Sequence, residues 1–276
     1  GVTHVLNGKD HADNSKKEAL IMGFLGWKAP EYKHWGMINF TGFALSSSKT
    51  RIAIEQGEYE SWEDIRLPFM PALRRRGYQP EAFRKYAMEI GLSLSDKTVS
   101  MEEFWKHVNA FNKDLIEPTA NRYFFVQDPV TIEIEGAPVK IVEIALHPDF
   151  PKRGARKFSA RNPFIISAAD KLEEGKIHRL IDYCNFKVSK GKYTFVSEDY
   201  EDYKDSHEKG SIIHWLPASA KVIPVHIQMQ DGSFEIGVGE ENLKDVEEGA
   251  VVQLERQFFA RLDSKEDKIV FWYLHK

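Results

Sequence analysis

One cysteine, Cys184, stands in a chain of 276 residues. A single thiol excludes a disulfide framework and a cysteine-rich zinc site, and it suits a reducing cytosol. No apolar run approaches the roughly twenty residues that cross a bilayer, and no signal-peptide pattern opens the chain. Basic residues are not in excess: 38 Lys and Arg stand against 42 Asp and Glu, for a formal net charge of -4. That balance excludes a simple basic nucleic-acid coat, although an acidic protein can still carry a local basic face. Internal repeats and low-complexity linkers are missing. So is a starting methionine. The first residues already read as a strand, so we expect a fragment whose first domain has lost its N-terminal half.

What is present is ordinary globular material. Hydrophobic residues make up 42% and charged residues 29%, and the length allows two or three compact units. Residues 2–6 are apolar and β-branched, as in a buried parallel strand. Asp13 or Asn14 can cap a helix carrying Ala19, Leu20, Met22, Phe24 and Leu25, and Gly26 stops it. From Ser61 to Pro118 the pattern is helical. Ser61 with Asp64 is a candidate capping pair. Pro80 fits the first turn of a helix over 81–90 that Gly91 ends. Ser100 with Glu103 forms a capping box for a third helix through Leu115. After Tyr123 short strand-like runs follow one another with Gly, Asp and Pro between them, which predicts a barrel or a pair of barrels.

Two polar segments interrupt the first part. Asn7-Gly8-Lys9-Asp10-His11 lies at the C-terminal end of the first strand, where α/β sheets place ligands. Ala44-Leu45-Ser46-Ser47-Ser48-Lys49 is a small-residue loop crowded with hydroxyls and closed by cations. Both are poor core material, and together they read as two walls of a nucleotide-phosphate site. Metal-ligand spacing does not recur elsewhere, so no protein-bound metal is expected.

Several blocks in order carry a family resemblance. They are Gly1-Val2-Thr3-His4-Val5, the loop 44–50, Arg66-Leu67-Pro68, Leu73-Arg74-Arg75-Arg76-Gly77, Asn121-Arg122-Tyr123-Phe124, His147-Pro148, Ile212-Ile213-His214-Trp215 and Gln253-Leu254-Glu255-Arg256. On these the chain resembles the C-terminal half of an archaeal-type glutamyl-tRNA synthetase, in the glutamyl/glutaminyl branch of class I. The resemblance implies a multidomain fold: a Rossmann-like α/β catalytic remnant over 1–60, a helical connector over 61–121, and two all-β barrels over 122–276. The proximal barrel would take 122–170 and 236–276, the distal one 171–235, with 251–273 returning to the barrel begun at 124–145. The implied function is that of a glutamate–tRNA ligase as a full-length, cytoplasmic, monomeric enzyme, with this piece alone inactive. Its substrates would be glutamate, ATP with Mg²⁺, and tRNA-Glu, with tRNA-Gln left open; neither DNA nor membrane is implied. A glutaminyl-tRNA synthetase and an inactive tRNA-binding relative are the rival readings.

The resemblance also assigns residues. The loop 44–50 stands at the second class I signature, with Leu45 at the apolar anchor and Ser46 and Ser48 at the hydroxyls. Ala44 and Ser47 replace its lysines, which leaves Lys49 to meet the charge that develops on the triphosphate. Gly8 and Asp10 border the nucleotide. Among Arg74, Arg75 and Arg76, one or two are expected on tRNA phosphates and the rest in structural pairs. Arg156, Gln253 and Arg256 match anticodon-reading positions. A regular strand would put Gln253 and Arg256 on opposite faces, so both could touch RNA only across a bulge, a loop or a bent edge.

Overall fold

The structure, a computed structural model, describes residues 1–41, 46–266 and 268–276. The chain folds as two compact units, one from Gly1–Glu55 and Gln79–Asp114, the other from Gln56–Tyr78 and Leu115–Lys276. In chain order the helices are α1 (Ala12–Phe24), α2 (Ser47–Glu55), α3 (Met70–Arg76), α4 (Pro80–Ile90), α5 (Met101–Ile116) and α6 (Tyr200–Asp205). The helical stretch 61–121 is therefore shared: α3 belongs to the second unit, while α4 and most of α5 belong to the first.

In the first unit His4–Gly8 pairs in parallel with Glu31–Trp35, and α1 forms the crossover between them. A second parallel pair joins Ile38–Thr41 to Lys97–Ser100. Pro80 sits in the first turn of α4, where its missing N–H removes no helical bond. Ser100 Oγ accepts the Glu103 N–H at 3.1 Å and caps α5. The Phe104 ring of α5 meets Tyr86 of α4 and Phe40 edge-on, at 5.0 and 5.1 Å. These rings form a small aromatic core.

No helix follows Ser61, which corrects the capping pair expected there. The Asp64 carboxylate instead accepts the side chain of Arg66 at 2.6 and 2.8 Å and the backbone N–H groups of Glu60 and Arg66. A carboxylate bound to nearby backbone favours a turn over a helix. The Arg66 guanidinium also draws the Asp64 carboxyl down to about 2.

The second unit is built mainly from β-sheet. From edge to edge its seven-stranded sheet runs Arg122–Tyr123, Val251–Leu254, Phe258–Ser264, Ile269–His275, Val222–Gln228, Phe234–Glu240 and Phe125–Gln127. The other strands form sheets of five, three and two. Successive residues of a strand face opposite ways. Phe124 accordingly enters one core with Phe164, Phe186 and Trp215, while Phe125 enters another with Val225, Leu254 and Phe271. Trp215 lies fully inside the first core, its indole N–H donating to the Ile181 carbonyl at 2.9 Å.

The expectation of two closed barrels is wrong. Among the described residues no sheet closes on itself. The edges of the large sheet are two successive pieces of chain, split at Phe124. There the Phe124 N–H donates to Glu240 Oε1 and its carbonyl accepts the Glu240 N–H, so the two edges make no ladder. The edge strands have only two and three residues, and very short edges need no closure for protection. The run 251–273 shares its sheet with 125–127, whereas 129–145 enters the three-, five- and two-stranded sheets.

Candidate functional site

In the first unit the strand end His4–Gly8 opens on a cleft of about 610 Å³ lined by Gly8, Lys9, Asp10, Trp35, Gly36 and Met37. A Cβ at Gly8 would collide with Asp10 Oδ1, so glycine lets the Asp10 carboxylate fold back over the strand end. Lys9 Nζ donates to Asp96 Oδ2 at 2.7 Å, and the Met37 N–H donates to Asp96 Oδ1 at 2.7 Å. Lys9 is thereby tied to the wall of the cleft. Asn7 Oδ1 bonds His34 Nδ1 across the parallel pair. The described residues contain no group of three or more His, Cys, Asp or Glu side chains arranged to hold a metal ion.

Ala44 and Leu45 lie outside the described residues. The segment that follows is a helix start, not a loop to residue 50. Ser46 Oγ faces the Lys49 N–H at 3.4 Å and the Ser46 carbonyl accepts the Thr50 N–H at 3.0 Å, so Ser46 stands at the N-cap of α2. Ser47, Ser48 and Lys49 are exposed on its first turn. The positive end of the helix dipole suits an anion there.

In the second unit the three arginines of α3 divide sharply. Arg75 grips Asp263 through two parallel bonds of 2.9 and 2.8 Å and stacks over Trp272 at 4.1 Å. Arg76 is buried and donates to the carbonyls of Tyr273 and Leu274 at 3.0 and 2.7 Å. Desolvation lowers its pKa from the usual arginine value. Arg74 alone is exposed, on the rim of a cleft of about 610 Å³ shared with Glu63, Met70 and Arg261. Gly77 ends the helix at φ 107°, and a Cβ there would lie 2.8 Å from Val251 Cγ2, so this position needs glycine.

Arg156 was expected at a base and is instead inside the protein. It is 2% exposed, donates to Glu240 Oε1 at 2.6 Å, and lies over the Phe124 ring at 4.9 Å. The reason is its strand. Ala155–Ala160 alternates strictly, and Arg156 falls on the same inward face as Phe158 and Ala160. From that position the side chain reaches no RNA.

Gln253 and Arg256 do not share a strand. The strand ends at Leu254, and a tight turn closed by the Gln257 N–H on the Leu254 carbonyl at 2.9 Å carries Arg256 at φ 64°. A long side chain at left-handed φ is strained by roughly 1–2 kcal/mol. Arg256 overhangs a cleft of about 430 Å³ lined also by Gln127, Ser167, Asp170, His214 and Gln257. Gln253 is half-buried and its Oε1 has no partner.

Asp170, which follows a strand in an irregular stretch, carries no motif that points to it. Burial raises its carboxyl above the ordinary range. His214 lies buried beneath the same cleft, and desolvation lowers its imidazole to about 4.

Comparison with known proteins covers the whole chain. Residues 1–118 match the family described as class I tRNA synthetases (E and Q), catalytic domain, and residues 120–203 match the anti-codon binding domain of the same synthetases. The glutamate–tRNA ligase of Methanothermobacter thermautotrophicus is 42% identical over 277 residues, covering 100% of this chain and 48% of the relative. That of Pyrococcus abyssi is 41% identical over 288 residues, with 100% and 49% covered. That of Methanosarcina acetivorans is 38% identical over 285 residues, with 100% and 48% covered. The chain thus spans about half the length of these relatives.

Proposed function

The chain belongs to the glutamate/glutamine family of class I tRNA synthetases, and from that premise we propose that it serves a glutamate–tRNA ligase acting on glutamate, ATP with Mg²⁺, and tRNA-Glu. Residues 1–60 supply walls of the nucleotide site, 61–121 meet the tRNA stem, and 122–276 read the anticodon. One observation carries the reading. In the unit that holds the anticodon-binding match, the strained turn at Arg256 aims an exposed cation over a polar cleft. Residues held in disfavoured backbone conformations gather at ligand sites, and unpaired anticodon bases are read by their edges and faces.

The roles divide by exposure. Lys49, on the first turn of a helix capped by Ser46 and flanked by Ser48, meets the triphosphate, while Gly8 and Asp10 border the adenosine side. Arg74 meets a backbone phosphate. Arg75 and Arg76 hold α3 against the strands that carry Asp263 and Tyr273, and Arg156 holds the two cores together through Glu240. Gln253 stands beside the reading turn and Arg256 on it.

Titration of the chain with tRNA-Glu and with an anticodon-swapped tRNA tests this. Cognate tRNA should bind more tightly, and affinity should fall with salt. Arg74→Ala should weaken both RNAs alike, whereas Arg256→Ala should weaken the cognate RNA more. Equal affinity of the parent for both tRNAs would remove the anticodon reading. In an enzyme that forms the adenylate, Lys49→Ala should slow pyrophosphate exchange by roughly 10²–10³-fold.

A further inference from the structure

The second unit carries another cleft, of about 600 Å³, in which Lys221, Lys244, Lys265 and Lys268 surround a floor that includes Ile223 and Ile269. It lies away from Arg256. Val222–Gln228 and Ile269–His275 run in parallel as neighbours in the large sheet. The lysine cleft sits at their N-terminal ends, whereas the Arg256 cleft takes Met229, Tyr273 and Lys276 from their C-terminal ends. A strand of this length separates the two by roughly 20 Å.

The lysines are poorly neutralised. Among the described residues no carboxylate lines the cleft. Lys221 and Lys244 share a single partner on its rim, each 3.4 Å from Glu241 Oε1. Lys265 Nζ donates to the carbonyls of Lys244 and Val246 at 3.0 and 2.8 Å. Those partners are neutral, so its charge stays uncompensated. Lys268 is exposed, with its ammonium 5.9 Å from the centre of the Phe234 ring.

The apolar surface continues past the cleft. Pairing sets Pro224 opposite Val238, His226 opposite Ile236 and Gln228 opposite Phe234, and directly opposed residues share a face of the sheet. On that face Ile236 is 55% and Phe234 48% exposed. Pro224 and Lys268 line the cleft and border this face as well. An apolar centre with a charged rim is the anatomy of a protein–protein interface. RNA is the poorer match. Its phosphates are gripped best by the planar fork of arginine, and all four cations here are lysines. Its backbone also offers nothing apolar to the isoleucine floor.

We propose that this cleft and the adjoining face dock an acidic segment of a partner protein. A leucine-like or phenylalanine-like side chain of that segment fills the cleft over Ile223 and Ile269. Its carboxylates meet Lys221, Lys244 and Lys268. The proposal is independent of the RNA reading, because it uses the opposite end of the strands.

The test is selection from a displayed random-peptide library on the chain, followed by titration of the enriched peptides. They should combine Asp or Glu with Leu, Ile or Phe, and their affinity should fall as salt rises. A double variant carrying Lys221→Glu and Lys268→Glu should bind them ~10-fold or more weakly, since like charges then face each other. Lys192→Glu, on a strand of the five-stranded sheet, should leave binding unchanged. In the parent, bound peptide should slow amide exchange at Ile223 and Ile269, a readout that needs no variant. The proposal is overturned if no peptide is enriched, if the enriched peptides are basic or neutral, if the double variant binds them as the parent does, or if the protection falls elsewhere. A double variant that loses RNA stem-loop affinity while keeping the peptide would assign the lysines to RNA and overturn the docking site. Failure of the stem-loops to bind the parent would remove the RNA reading and leave this one standing.

Discussion

The two units differ in how completely they bury their apolar residues. In the second unit, aromatic and β-branched side chains from successive strands fill two cores, and Phe124, Phe125, Phe164, Phe186 and Trp215 are each fully buried. In the first unit α1 buries only Ser15. Its Leu20, Ile21 and Phe24 face solvent, with Phe24 87% exposed. A face of this kind contributes little buried apolar area to its own unit. The cations divide less cleanly, since Arg74 and Arg256 of the second unit are also exposed. In the second unit Arg75, Arg76 and Arg156 are locked into the packing, whereas Lys49 in the first stands free on a helix start. A packed unit holds its surface rigidly, whereas an open one leaves polar and apolar groups displayed.

The largest effect that should break this contrast is at Arg156. Removing one partner of a buried ion pair leaves the other charged and uncompensated. Arg156→Ala should therefore lower stability by ~3–5 kcal/mol, read from the urea midpoint of the β-sheet signal. An unchanged midpoint would mean that the Arg156–Glu240 pair does not join the two cores.

Next is the acid side of the pH profile. The His214 imidazole is held at about 4, below its ordinary 6.5, so its contribution is full above 6.5 and lost as pH falls toward 4. At ~1.4 kcal/mol per pKa unit this is about 3 kcal/mol. Glu240 works in the opposite sense. Burial lifts its carboxyl from 4.5 to about 6, so its contribution is full below 4.5 and lost as pH rises through 6. The parent should weaken between pH 6.5 and 4. His214→Gln should flatten or reverse that slope, and a variant with the parent's slope would refute the assignment.

The smallest effect is expected on α1. Phe24→Ser should change stability by no more than about 0.5 kcal/mol, while Phe124→Ala should cost about 3–5 kcal/mol. Comparable losses from the two would erase the distinction between the units.

Much of this was legible in the sequence. Pro80, Gly91 and the Ser100 cap act locally and set the ends of α4 and α5 as expected. Alternation in the strand runs identified the β-rich half. Closure did not follow from that pattern, because it depends on which distant edges meet, and the break at Phe124 is set by Glu240, 116 residues away. At the site the same limit applies. Basic residues in a row reveal that a surface is charged, but only packing shows that Arg75 turns to Asp263 while Arg74 stays free. The period-two pattern of Ala155–Ala160 did contain the burial of Arg156, since it shares parity with Phe158. Asp170 and His214 had no local signal, because the cleft they line is made by contacts across the fold.

Hydrogen exchange along the whole chain, with and without an RNA stem-loop, tests the central claim most directly. Backbone amides of Val222–Gln228 and Ile269–His275 should exchange near the global unfolding limit, while those of α1 exchange orders of magnitude faster. RNA should slow exchange at the 254–257 turn and at 167–170, and leave α1 fast. Protection of α1 equal to that of the central strands, or RNA protection that misses the Arg256 turn, would contradict the account.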